Sequence, residues 1–276
     1  MGRRDNMRYP AVAGQFYEGT EDSLRRQIEG CFLHNLGPGE IPKLQIGERR
    51  IKGAVVPHAG YMFSGPVAAH VCVAMAKDGF PETFIIIGPK HSPLGSPIAI
   101  TTEEFSTPLG NVAIDMDLAE KLHTGVIDND ITAHRDEHSI EVQLPFLQYL
   151  RPDIKFVPLC IGHQTYKMAR EVGEIISKAI EGKDVVVMAS TDFSHYVQKE
   201  VAEKKDMKAI EAIINLDAKS LYKTVDKYKI SMCGYGPVMA MLEAVKGSEA
   251  SLLKYSTSGD VMEMRDVVGY GAMVVR

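Results

Sequence analysis

Three apolar segments of the sequence each run into a turn that carries a histidine, and this repetition constrains the fold more than any other feature. The segments are residues 51–56, 84–87 and 184–190, and the histidines that follow them are His58, His91 and His195. A continuous apolar run between turn residues is typical of a strand buried on both faces of a parallel sheet. Because ligands of open α/β sheets collect at the carboxyl ends of the strands, the three segments predict one shared site.

Helical periodicity separates these segments, as in the stretches that begin near Val67 and Met168. We therefore expect an α/β protein with three layers, α/β/α, around a central, mostly parallel sheet. The length of 276 residues and the 45% hydrophobic content suit one domain spanning residues 1–276. Within it, residues 1–20 should form an irregular N-terminal arm that packs on the body.

The sequence also predicts the starts of two helices and one pair of short strands. Ser64 should cap the helix after His58, and Asp136 or Ser139 should cap a helix that begins near residue 140. Residues 97–102 and 111–115 resemble two short strands that pair as a hairpin-like extension.

Composition excludes some partners. The net charge of −5 and the scattered Lys and Arg residues leave no basic surface for nucleic acid. The apolar runs are far shorter than the roughly 20 residues a membrane helix needs, and no signal peptide is recognisable. The four cysteines are widely spaced without a CxxC pair, which favours reduced thiols and a cytoplasmic location.

His58 and His91, each in a Gly/Pro-shaped turn, are the strongest candidates for metal ligands. Two imidazoles with a carboxylate or a thiolate suit a divalent transition metal. The alternative is that strand-end histidines simply occupy polar loops. Asp192 and His195 are candidates for ligands, for partners of ligands, or for a pair that transfers protons.

Cys233 precedes Gly236 and Pro237, which should open a helix whose N-terminus favours a thiolate. It is a candidate metal ligand, a nucleophile or a small buried side chain. The remaining cysteines, Cys31, Cys72 and Cys160, lie in apolar patterns and are predicted to belong to the core.

His134, Glu137 and His138 spell HxxEH, the inverted zinc-protease pattern. That pattern requires a helix, so that both histidines share one face. Here the apolar periodicity begins only at Ile140, after the motif. We therefore favour a loop that approaches the site over a protease centre.

The strings YPAVAGQFY, VVPHAGYMFSG, IIIGPKH, DEHSIEVQLPFLQ, STDFSHY and MCGYGP occur in this order and resemble the Memo family, also called AmmeMemoRadiSam system protein B. The resemblance implies the fold of LigB-type class III extradiol dioxygenases. It also implies a metal pocket of His58, His91 and Cys233, with Asp192 and His195 lining it. The segment that contains Glu137, His138 and Glu141 corresponds to an additional pocket wall.

The resemblance implies a non-haem iron or copper site, in preference to zinc, with redox or oxygenase-like activity on an unassigned substrate. One alternative is a true extradiol dioxygenase, with His195 as the base and Asp192 beside it, although a thiolate replaces the usual carboxylate ligand. Another is a non-catalytic module that binds a peptide, such as a phosphotyrosine peptide, in the same pocket. A phosphate pocket would favour arginine, and the strand ends offer only Lys90.

Overall fold

A computed structural model describes residues 7–276 of the chain, so the first six residues of the predicted arm lie outside the described part. The strands are β1 (Met7–Arg8), β2 (Gly53–Val56), β3 (Thr83–Pro89), β4 (Ile98–Ile100), β5 (Glu104–Thr107), β6 (Gly110–Ile114), β7 (Asp128–Asn129), β8 (Lys155–Ile161), β9 (Val185–Ser190), β10 (His195–Gln198), β11 (Ala250–Thr257) and β12 (Asp266–Val275). The α-helices are α1 (Glu21–Leu33), α2 (Tyr61–Asp78), α3 (Met116–Leu122), α4 (Leu144–Leu150), α5 (Tyr166–Ala179), α6 (Lys199–Ile214), α7 (Ala218–Tyr228) and α8 (Tyr235–Val245).

A parallel core of five strands, in the order β6-β8-β3-β9-β2, forms the centre of the sheet. Antiparallel pairs extend it at both sides, through β5 beside β6 and through β12 beside β2. Every residue of β2, β3 and β9 is buried, because helices cover both faces of these strands. The predicted α/β class with a mostly parallel sheet is confirmed.

The two helical layers are built from different parts of the chain. Helix α2 packs on β2, β11 and β12 together with α1 and α4, whereas α8 packs on β2, β3 and β9 together with α5 and α7. Cys31, Cys72 and Cys160 are buried, as predicted from their apolar surroundings. In the part of the chain that the structure describes, no helix is both long and apolar enough to cross a membrane.

Three predicted helix starts are wrong. Helix α2 begins at Tyr61 after Gly60, so Ser64 lies inside the helix and donates its hydroxyl proton to the carbonyl oxygen of Ala59. Helix α8 begins at Tyr235 after Gly234, ahead of the predicted Gly236–Pro237 start. A glycine immediately before each helix provides the turn, and neither helix has a side-chain cap.

The third wrong start lies in the HxxEH region. Neither Asp136 nor Ser139 caps a helix, because a 3-10 turn, Glu141–Gln143, comes first and leads directly into α4. Asp136 is exposed, and the Ser139 hydroxyl donates to the carbonyl oxygen of Pro89 instead. Ser139 therefore ties this loop to the end of β3.

The predicted hairpin has different strands. Strand β4 lies antiparallel to β8 and parallel to β7, whereas the hairpin forms between β5 and β6. The sequence between the two predicted strands, FSTPLG, thus supplies most of the first strand of the hairpin and its turn.

Gly88, near the end of β3, allows the loop of residues 134–143 to approach the sheet. A β-carbon there would overlap the hydroxyl of Ser139 and lie 2.9 Å from Cγ1 of Ile140. We predict that Gly88→Ala lowers the free energy of unfolding by about 1–3 kcal/mol, because the added methyl group overpacks this contact. Urea unfolding monitored by circular dichroism checks this value.

Gly30 provides the matched control. It is an exposed residue of α1 with no heavy atom within 4 Å of a built β-carbon. Gly30→Ala should raise stability by about 0.5–1 kcal/mol through helix propensity. Equal effects of the two substitutions would contradict the proposed packing role of Gly88.

Candidate metal centre

The candidate site forms because three strands that carry its residues are adjacent. Strand β9 lies between β3 and β2, and all three are parallel, so their carboxyl ends open on the same edge of the sheet. This edge brings together His58 after β2, His91 after β3, and Asp192 after β9. Cys233 reaches the same place from the loop before α8.

The tautomer of His58 is set by the hydrogen bonds of Ser190. The Ser190 hydroxyl donates its single proton to the Ser139 carbonyl oxygen at 2.6 Å, and it accepts an N–H from Gln143 at 2.8 Å. Nδ1 of His58 lies 2.9 Å from the same oxygen and must therefore be the donor of that contact. Nε2 of His58 is left with a free lone pair, and Cys233 Sγ lies 3.3 Å from it.

His91 is oriented by the buried carboxylate of Glu137. That carboxylate accepts the backbone N–H of His91 at 2.6 Å, its ring Nδ1–H at 2.9 Å, and the backbone N–H of Ser139 at 2.8 Å. Burial alone would raise the pKa of Glu137, but the interactions with His91 and the backbone donors hold it at about 2. His91 therefore presents Nε2 as its free nitrogen, as metal-binding histidines commonly do.

Cys233 completes a group of three donors. Its sulfur accepts the backbone N–H of Asp192 at 3.2 Å. One potential ligand atom from each of His58, His91 and Cys233 lies within 4.8 Å of the others. For bonds of about 2.0 Å to nitrogen and 2.3 Å to sulfur, a tetrahedral ion would separate its nitrogen and sulfur ligands by about 3.5 Å. The 3.3 Å between His58 and Cys233 fits that separation, so this pair fits a transition metal ion, and His91 offers a third donor atom within 4.8 Å of both.

Burial favours the uncharged forms of His58 and Cys233, whereas Glu137 raises the pKa of His91 despite its burial. Burial lowers the pKa of His58 well below its ordinary value and, together with the nearby carboxyl of Asp192, raises the pKa of the Cys233 thiol. The expectation that the helix N-terminus favours the thiolate is therefore wrong for the protein alone. A bound cation would reverse this preference, because metal binding requires the deprotonated thiol.

Asp192 lies in the turn after β9, and His195 is the first residue of β10. The Asp192 carboxyl is buried, which raises its pKa to about 6, although it accepts the backbone N–H of His58 at 2.8 Å. His195 has Nδ1 at 2.8 Å from the carbonyl oxygens of both Phe193 and Ser231. Since a carbonyl oxygen can only accept, Nδ1 carries the proton and Nε2 is free.

His138 lies against both histidines of the group. Its ring stacks on that of His91 with centroids 4.6 Å apart and meets that of His58 edge-on at 5.5 Å. His91, Glu137 and His138 form a second group of donor atoms within 4.8 Å, which shares His91 with the first. Its carboxylate is already used by three N–H donors, so this group is the poorer candidate for an ion.

His134 does not take part in either group. It is buried, its Nε2 lies 2.9 Å from the carbonyl oxygen of Ala99, and its Nδ1 lies 3.3 Å from Sγ of Cys160. Residues 134–138 form turns and no helix, so the geometry of the zinc-protease pattern is absent from this stretch. The loop interpretation of HxxEH agrees with this arrangement.

Glu141 lies behind the pocket rather than along it. Its fully buried carboxylate pairs with Arg8 and accepts the backbone N–H groups of Ala11 and Val12 and the hydroxyl of Tyr17. Glu141 was expected to line the pocket, but its side chain instead binds residues of the N-terminal arm.

Sequence reasoning missed four supporting residues, which are Arg8, Ser139, Gln143 and Ser190. Each is polar and buried. The positions of Ser139, Gln143 and Ser190 in EHSIEVQ and VVVMAS, beside the candidate ligands, were the only signal for them. Arg8 carried no such signal, because contacts between residues far apart in the chain leave no periodic pattern.

Comparisons with known proteins show the family of the chain. The sequence profile of the family described as Memo-like protein matches residues 8–274. The chain belongs to the Memo family. A MEMO1 family protein of Methanopyrus kandleri is 51% identical over 279 residues, which cover 98% of this chain and 99% of that protein. A MEMO1 family protein of Methanothermobacter thermautotrophicus is 45% identical over 273 residues, which cover 96% of this chain and 98% of that protein.

A further Memo family relative and one solved structure complete the comparison. A MEMO1 family protein of Sulfurisphaera tokodaii is 46% identical over 276 residues, which cover 96% of this chain and 97% of that protein. An uncharacterized protein of Escherichia coli K12 aligns with a TM-score of 0.49 and 14% identity, over 82% of this chain and 100% of that chain.

The buried ion pair behind the pocket leads to a prediction. Arg8→Met should lower the free energy of unfolding by about 3–5 kcal/mol, because it leaves the Glu141 carboxylate buried without its counter-charge. The substitution also removes donors to the carbonyl oxygens of His134 and Glu137. Guanidinium unfolding measures the loss.

Arg25→Met is the control, since Arg25 pairs with Glu21 on the exposed face of α1. Such pairs contribute little, so its stability should match that of the wild type. A loss for Arg8→Met as small as that of the control would show that Arg8 does not stabilise the loop.

Proposed function

We propose that the protein binds one iron or copper ion through Nε2 of His58, Nε2 of His91 and Sγ of Cys233. The observation that carries this proposal is the convergence of three potential ligand atoms within 4.8 Å, with both Nδ1 atoms already engaged by Ser190 and Glu137. A bound ion of this kind would supply redox chemistry. Three protein ligands leave coordination positions open for a small molecule.

The contact between His58 and Cys233 also suits a cysteine nucleophile with a histidine base. Two observations favour the metal site. A nucleophile needs no second imidazole, yet His91 is held at the same point by a dedicated carboxylate. Burial also keeps the pKa of the thiol above its ordinary value and that of His58 below it, which disfavours an ion pair of thiolate and imidazolium.

A second candidate is oxygenase chemistry of the extradiol type. His195 supports it, because the carbonyl oxygens of Phe193 and Ser231 fix the proton on Nδ1 and leave Nε2 free to accept one. Asp192 lies beside it, and its pKa of about 6 suits a group that exchanges protons near neutrality.

Binding of a phosphorylated peptide has less support. Lys90, the cation that follows β3, donates its ammonium protons to the carbonyl oxygens of Leu94 and Gly95. An ammonium group already engaged by two carbonyl oxygens is poorly placed for phosphate, so we favour an uncharged or phenolic small molecule as the ligand.

The metal proposal predicts the metal content of two variants. Protein purified without oxygen should contain close to one iron or copper ion per chain by elemental analysis. His58→Ala and Cys233→Ala should each lose that ion, because removal of one ligand from a three-ligand site leaves two. Circular dichroism should show that both variants retain the fold.

Cys72→Ala is the matched control, since Cys72 is a buried cysteine of α2 outside the group of donors. Its metal content should equal that of the wild type. Unchanged metal content in both site variants would overturn the proposal. Stoichiometric zinc in the wild type, lost in both variants, would keep the ligand set and reject iron and copper.

The oxygenase candidate predicts a different result for His195→Gln. This variant should keep its metal but lose oxygen uptake by about 10²–10⁴-fold, the usual contribution of a general base. An oxygen electrode with Fe(II)-loaded protein and a panel of catechols measures the rate. His123→Gln, at the exposed end of α3, is the control. If the wild type consumes no oxygen with any catechol, the oxygenase candidate is rejected and the metal proposal stands.

A further inference from the structure

Tyr196 has a backbone conformation that its surroundings do not explain. Among residues 7–276, the non-glycine residues with positive φ are Tyr196, Leu216, Lys229 and Lys246. Lys229 and Lys246 are the left-handed C-terminal caps of α7 and α8, and Leu216 follows the cap of α6. Such conformations are common at helix ends. Tyr196, with φ of +56°, lies in strand β10 instead.

Tyr196 is the extra residue of a β-bulge. His195 pairs with Val268 and Val197 pairs with Val267, so two residues of β10 span one step of β12. In bulges of this kind the residue with positive φ is typically glycine. The side chain of Tyr196 is 79% exposed, so packing contributes little to offset the unfavourable backbone. Strain without a packing reason is characteristic of functional positions.

The ring of Tyr196 lies next to the candidate site. Its centroid is 5.9 Å from that of His195, with an angle of 62° between the planes. His195 is in turn tied to the site, because its Nδ1 donates to the carbonyl oxygen of Ser231, two residues before Cys233. The exposed ring of Tyr196 therefore lies beside the imidazole of His195, whose Nε2 is free.

We propose that Tyr196 is a ligand-binding residue of this site, and that its ring stacks on the planar ring of a phenolic ligand whose hydroxyl faces His195. An aromatic face recognises another ring by offset or edge-on packing. Nε2 of His195 can accept a proton only from a ligand that carries an acidic one, and the hydroxyl of a phenol does. The inference rests on the proposed function, because the site of binding is the proposed metal pocket.

Three substitutions of Tyr196 distinguish the effect of its ring from the effect of its backbone conformation. Tyr196→Phe keeps the ring, whereas Tyr196→Gly and Tyr196→Asn remove it and tolerate the left-handed conformation that forms the bulge. The probe is 4-nitrocatechol, whose absorbance changes on binding, titrated into the metal-loaded protein. The dissociation constant of Tyr196→Phe should stay within about twofold of wild type, and those of Tyr196→Gly and Tyr196→Asn should rise about tenfold. Metal content should be equal in all four proteins.

Thermal unfolding provides an independent readout. Tyr196→Gly should raise Tm by about 2–4 °C, because glycine adopts positive φ without strain. The control is Lys246→Gly, which relieves the same left-handed conformation at the C-terminal end of α8, the end opposite to Cys233. It should also raise Tm and should leave binding of 4-nitrocatechol unchanged.

The inference is overturned if Tyr196→Gly binds 4-nitrocatechol as tightly as the wild type, if the wild type does not bind it, or if Tyr196→Gly lowers Tm. These outcomes are distinct from failure of the metal proposal. Protein that contains no metal, yet binds the probe with the same dependence on the ring of residue 196, would reject the metal and keep the role of Tyr196.

Discussion

The guanidinium of Arg8 is the contact on which the geometry of the site depends. It pairs with Glu141 and donates to the carbonyl oxygens of His134 and Glu137, so one buried cation holds both ends of an irregular loop. That loop supplies the carboxylate that orients His91, and its Ser139 carbonyl accepts the proton that fixes the hydroxyl of Ser190. The orientation of both candidate histidine ligands therefore traces back to the N-terminal arm.

Because the site depends on contacts between residues far apart in the chain, only part of it could be predicted from the sequence. The strands that end near His58 and His91 are continuous apolar runs, and their burial on both faces follows from that pattern. The convergence of their ends follows from the parallel sheet itself. Cys233 was a candidate by its position before a helix and by resemblance to the Memo family. The class of fold, and the meeting of these strand ends at one candidate site, could thus be predicted from the sequence.

The conformation of the pocket wall, residues 134–143, could not be predicted from the sequence in this way. The loop of residues 134–143 has no periodicity, and its conformation comes from polar contacts with residues far away in the chain, such as Arg8 and Ser190. For that reason Glu141 was expected in the pocket, although its carboxylate faces the arm. The predicted starts of α2 and α8 were wrong for a related reason. Gly60 and Gly234 turn the chain without a side-chain cap, so the more recognisable capping residues nearby were misleading.

Burial disfavours the charged forms of His58, Cys233 and Asp192, whereas Glu137 raises the pKa of His91 despite its burial. Burial lowers the pKa of His58, raises that of Cys233 and raises that of Asp192 to about 6, so each group is driven toward its uncharged form. Deprotonating the thiol next to the Asp192 carboxyl would place two negative charges together at low dielectric, which is costly. A divalent cation between the donors offsets both charges at once, since metal binding and loss of the thiol proton are linked. The groups that make this pocket unfavourable for a free thiolate therefore support the proposed metal ion.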